Sequence, residues 1–125
     1  MIESGIVPGL RAEHAITVVE TDTAIAYGSG SVPVLATPRV IALCEAAAVS
    51  AVADHLSDGM TTVGTRIELD HLVPSSIGSD VVASATVVAV DGRRVTFDIR
   101  ATMGDTIVAR GVHTRVAVQE EGFGQ

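Results

Sequence analysis

The stretch "LATPRVIALCEAAAVSAVADHL", residues 35–56, decides how the chain folds. It reads as a helix that is apolar around nearly its whole circumference, with one carboxylate, Glu45, in its middle. The start signal is Thr37 as cap, followed by Pro38 at the first helical position, where a missing N–H costs nothing. The helix runs to about His55–Leu56, and "SDG" at 57–59 stops it. A helix this apolar must be buried on most of its sides. A single sheet encloses it only by curling, and one side then stays open. A second copy of the chain is the economical cover for that side.

The flanking sequence supplies the sheet. "EHAITVVE" (13–20) reads as a first strand, and "YGSGSVPVLA" (27–36) as an irregular loop rich in Gly, Ser and Pro. After the helix, strands are predicted at 61–73, 80–90, 93–101 and 107–118. They are separated by "PSSIGS", by the hairpin pair Asp91-Gly92, and by "MGDT". In the fourth strand Val95, Phe97, Ile99 and Ala101 share one face, with Arg94, Thr96, Asp98 and Arg100 on the other. The fold class is α+β: one curved antiparallel five-stranded sheet wrapped around one long central helix, forming a homodimer or a dimer of dimers. Residues 1–125 make one domain, with 1–10 and 119–125 expected as loosely ordered tails.

Composition narrows the function. Fifteen acidic residues against eight basic ones give a net charge of −7, and aromatics are 2% of the chain. That is a poor match to a nucleic-acid backbone and leaves no base-stacking platform. All the basic residues are Arg, so a Schiff-base lysine and a phosphate-binding P-loop are both excluded. The single Cys44 lies inside the apolar helix and argues for a reducing compartment. No run is long and apolar enough for a membrane span, and no basic-then-apolar leader opens the chain. The expected location is cytoplasmic, with no membrane and no nucleic acid as partner.

Chemistry is expected where ionisable groups fall at interior positions. On a period of two, Val63, Thr65, Ile67, Leu69, His71 and Val73 share a face, so His71 points toward the helix. Glu45 is the one acid in the dry part of that helix. Two such groups left unpaired would be costly, so they are expected to meet each other, another polar partner or a water-filled pocket. The Glu45 side chain leans toward the end of the helix where Thr37 sits, about 12 Å away at ~1.5 Å per residue. A substrate or water along the groove would bridge that gap. Arg66, His113 and Arg115 read most simply as solvated charges on strands, with phosphate binding as their functional alternative.

These elements and motifs resemble the hot-dog fold and, within it, the fluoroacetyl-CoA thioesterase-like family. The resemblance is carried by "ATPRVIALCE", with a Thr eight residues ahead of a Glu, by "GTRIELDH", a Gly-Thr strand ending in His, and by "GVHTRVAV". It covers roughly residues 10–118. It implies that Thr37, Glu45 and His71 form a catalytic triad acting on a small acyl-CoA thioester. It also implies a dimer with active sites near the subunit interface. Gly64, Thr65, His113 and Arg115 are the substrate-binding candidates. Coenzyme A is then part of the substrate; no separate cofactor and no metal is expected.

The expected reaction places the acyl carbonyl at the helix N-terminus, where free N–H groups stabilise developing negative charge. Glu45 acts as general base on water or as direct nucleophile. His71 polarises the carbonyl or protonates the leaving thiolate, and Thr37 positions water or carboxylate. Pro38 removes one backbone N–H from that helix start. The loop before Thr37 has Tyr27 as its one aromatic residue, whereas the fluoroacetyl-specific enzyme is bulkier there. Small lid residues discriminate poorly by size, so fluoroacetyl specificity is not expected. A non-catalytic acyl-CoA sensor, an enoyl-thioester hydratase and a purely structural Glu45–His71 pair are the alternatives.

Overall fold

A computed structural model describes residues 5–125 of the chain. Five strands form one antiparallel sheet: β1 (Arg11–Thr17), β2 (Met60–His71), β3 (Asp80–Asp91), β4 (Arg94–Met103) and β5 (Thr106–Gln119), in the order β1-β3-β4-β5-β2. A short helix α1 (Ala24–Tyr27) precedes the long helix α2 (Thr37–Val52). The four later strands match the expected spans to within a few residues, while β1 begins and ends earlier than expected. Among the described residues no helix is long and apolar enough to cross a membrane.

The core lies between α2 and the concave face of the sheet. Val40, Leu43, Cys44, Ala47, Ala48, Ala51 and Val52 are buried on the helix. They meet Val81, Ala83, Ala85 and Val87 of β3 and the predicted inner face of β4, where Val95, Phe97, Ile99 and Ala101 have no exposure. Small Ala side chains on both surfaces let the helix sit close to the strands. The helix packs mainly on β1 and β3 and only lightly on β2. The concave face of β5 and β2 is therefore left partly open, and that opening holds the ionisable groups.

Two expectations change. Thr37 does not cap the helix: Ala36 is the cap residue, no side chain caps the turn, and Pro38 is at the second helical position. Residues 1–4 of the expected N-terminal tail lie outside the described residues. Beyond them the tail is anchored, since Ile6 is buried in the core and the Gly9 N–H donates to the Val87 carbonyl.

The face assignment of β2 also needs correction, because the strand carries a bulge. Gly64 pairs with Arg115 and Arg66 with Thr114, so Thr65 is one residue more than the partner strand has. An extra residue exchanges the two faces. Ile67, Leu69 and His71 point inward as predicted, each opposite His113, Gly111 and Ala109 in turn. Ahead of the bulge the inward positions are Thr62 and Gly64 rather than Val63 and Thr65.

Candidate active site

Thr37 and His71 meet. The helix start brings the Thr37 hydroxyl to 2.8 Å from Nδ1 of His71, the last residue of β2. The pair lines an open cavity of about 240 Å³ with Ala24, Ser29, Val34, Leu35 and residues 72–74. Thr37 is free to make this bond because it is not spent on capping. Burial holds the His71 imidazole below its ordinary titration range, with the Val73 backbone opposing. At neutral pH the ring is uncharged and can accept a proton. Its other nitrogen, Nε2, is buried and has no hydrogen-bond partner among the described residues.

Glu45 is neither dry nor beside His71. Its side chain is 41% exposed, and it opens into a second cavity of about 230 Å³ lined by Ile41, Gly64, Thr65, Arg66, Ile67 and His113. The buried charge lies opposite it. Arg115 and His113, expected as solvated strand residues, are 6% and 2% exposed. Arg115 Nε donates to Thr62 Oγ1 at 2.8 Å and Nη2 to the Thr62 carbonyl at 3.0 Å. Its Nη1 donates to Glu45 Oε2 at 3.2 Å and to His113 Nε2 at 3.1 Å.

That network settles the His113 tautomer. Arg115 only donates, so His113 Nε2 must accept, and Nδ1–H donates to the Arg66 carbonyl at 2.8 Å. Burial, followed by the Arg115 charge, keeps the ring neutral; the Arg66 carbonyl and Glu45 act in the other direction. The ring also stacks on Phe97, with centroids 6.1 Å apart. A Cβ on Gly64 would lie 2.8 Å from Glu45 Oε2, so a side chain there would push the carboxylate off its contact with Arg115. Of the substrate-binding candidates, Gly64, Thr65 and His113 line the Glu45 cavity, and Arg115 lies behind Glu45. Arg66 is exposed and paired with Glu68 at 2.8 Å.

The chain thus has a hydroxyl–imidazole pair at the N-terminus of its central helix and a carboxylate held by a buried Arg at mid-helix. The model of the fluoroacetyl-CoA-specific thioesterase family matches residues 18–121, which contain every one of these groups. The chain belongs to that family. The fluoroacetyl-CoA thioesterase of Streptantibioticus cattleyicolor is 32% identical over 90 residues, 72% of this chain. The match spans 65% of that curated relative's length. A solved structure of a variant fluoroacetyl-CoA-specific thioesterase, in complex with fluoroacetate and CoA, superposes with a TM-score of 0.86 at 29% identity. The superposition covers 94% of this chain and 99% of that one. A hot-dog-like protein from Thermanaerovibrio acidaminovorans gives a TM-score of 0.82 at 27% identity, over 90% of this chain and 84% of that one. The architecture is the hot-dog fold.

The residues that sequence reasoning missed are Thr62, as the seat of Arg115, and Asp22. Asp22 is buried and bound to Arg39 at 2.8 Å. His113 and Arg115 did leave a signal: they share strand parity with Ala109, Gly111 and Ala117, small residues suited to an inner face. Asp22 lies in an irregular segment, where no periodicity marks an interior position.

Proposed function

We propose that the chain hydrolyses a small acyl-CoA thioester to the carboxylate and free CoA thiol. The observation that carries this reading is the 2.8 Å contact between Thr37 Oγ1 and His71 Nδ1 in an open cavity. A nucleophile and a base within hydrogen-bond reach are what acyl transfer requires. Neutral His71 takes the proton as the Thr37 oxygen attacks the thioester carbonyl, and returns it to the leaving thiolate. The carbonyl oxygen develops charge near the first turn of α2, where N–H groups lack intrahelical acceptors. Pro38 contributes none, so the donors come from its neighbours. Family membership supports the substrate class. The Gly/Ser-rich segment ahead of Thr37, with Tyr27 as its one aromatic residue, offers no bulky wall that would select for fluorine.

Glu45 enters this reaction through a second copy of the chain. Strand β2 lies at one end of the sheet, and its outer edge over twelve residues has no partner strand among the described residues. A long free edge is a ready template for another strand. The stripe Pro38, Ala42, Val49 and Ser50 on α2 is exposed beside half-exposed Glu45. Two copies joined along β2 cover both surfaces and place one copy's Glu45 cavity beside the other's Thr37–His71 cavity. In that arrangement Glu45 is the base for the water that releases the acyl group. The protein acts without a separate cofactor, in the cytoplasm.

The test is a panel of acyl-CoAs with free thiol detected. Wild-type protein should release thiol from short acyl chains. Thr37→Ala, His71→Ala and Glu45→Ala should each lose on the order of 10²–10⁴-fold in kcat. Binding of acyl-CoA without thiol release would turn the reading to a sensor module. Wild-type kcat in folded Glu45→Ala would remove that residue from the mechanism.

A further inference from the structure

We propose that Asp22 and Arg39 are a positioning pair for Thr37, holding the first turn of α2 from outside the helix; this rests on the reading of Thr37 and His71 as the reacting pair. The turn needs an outside hold. Its cap residue, Ala36, has no side-chain acceptor, and the Thr37 hydroxyl is committed to His71 rather than to the backbone. Helix ends without a cap fray first.

Asp22 supplies what is missing, on both sides of Thr37. Its carbonyl accepts the N–H of Ala36, the residue before Thr37, at 2.9 Å. One carboxylate oxygen accepts Arg39 Nε–H at 2.8 Å, two residues after Thr37. The other accepts the Val19 N–H at 2.9 Å, tying Asp22 to the chain just after β1. Next to it, Thr23 pairs with Leu35 and the Ala24 N–H donates to the Val34 carbonyl, so the base of the 24–34 loop closes on the same point.

The placement of Arg39 supports a geometric role. An Arg in the first turn opposes the helix dipole, and a carboxylate there favours it. Asp22 offsets the unfavourable charge and uses it as a handle. The two side chains are 27% and 10% exposed, so solvent screens the pair only partly. A shift of Thr37 by a fraction of an ångström lengthens the contact with His71, and misplacement near 1 Å costs about 10²-fold in rate.

Arg39→Met, Arg39→Lys and Asp22→Asn are the variants to compare. In Arg39→Met we expect kcat to fall about 10- to 100-fold with KM within about twofold, and Arg39→Lys to recover part of the loss. A readout without substrate separates this proposal from the function itself. The His71 ring protons, assigned with His71→Gln and followed by NMR, should titrate nearer the ordinary histidine range in Arg39→Met than in wild type. If Asp22→Asn fails to fold, Arg39→Met decides. Unchanged kcat together with an unchanged His71 titration in folded Arg39→Met overturns the proposal. A wild-type protein that releases no thiol defeats the proposed function and leaves the NMR comparison standing.

Discussion

The same physical pressure, loss of water, acts on two histidines and a cysteine with different results. His71 and His113 both titrate below the ordinary 6.5, chiefly through burial. Between their folded values and 6.5 the unfolded chain holds protons that the folded chain does not. Stability from these groups is therefore complete above about pH 6.5 and is lost as pH falls through the folded values. Thermal midpoints measured from about pH 8 down to about pH 5 should decline, and His113→Gln should flatten part of that decline. If His71 is the neutral base, the acid limb of kcat/KM should lie below the free-histidine value. Cys44, unexposed and next to Glu45, has its thiol pushed up to about 12, first by burial and then by that carboxylate. It should resist iodoacetamide in the folded protein at neutral pH and take up one equivalent on unfolding, read by mass spectrometry.

At the scale of elements, the central helix was legible because a long apolar run bounded by Pro38 and "SDG" admits few other readings. The inner face of β4 was legible for the same reason, with its alternation unbroken from Val95 to Ala101. Strand β2 was legible only from Ile67 onward. A bulge adds one residue without any compositional mark, so Thr62 and Gly64 were hidden behind Val63 and Thr65. The buried Arg115–Glu45 contact was hidden too, since it joins residues 70 apart and strand parity does not report a long-range partner. Strands β2 and β5 also depend on one close approach. A Cβ on Gly111 would collide with the Glu68 carbonyl, and Gly111 stands opposite Leu69, two residues from His71. Gly111→Ala should destabilise by about 1–3 kcal/mol in urea unfolding. It should also lower kcat by moving the end of the strand that carries His71.

For the molecule as a whole, the consequential surface is the open edge of β2. In solution the protein should run at twice the mass of one 12.8 kDa chain, measured by light scattering. Mixing supplies the sharper test. If Thr37 and His71 of one copy work with Glu45 of the other, co-refolded Thr37→Ala and Glu45→Ala chains regain about a quarter of wild-type activity, since half the dimers are mixed and each has one intact site. If each site is complete within one chain, the mixture stays inactive. The bulge at Thr65 has a consequence for inheritance as well. Strand length here behaves like a reading frame. Deleting Thr65 itself would only regularise the pairing and keep every face, but deleting one residue beyond it, such as Glu68, would leave hydrophobic content untouched yet turn Asp70 toward the helix and swing Leu69 and His71 out to solvent. Descendants of this chain are therefore free to vary many letters of β2, but an indel between the bulge and His71 should be purged.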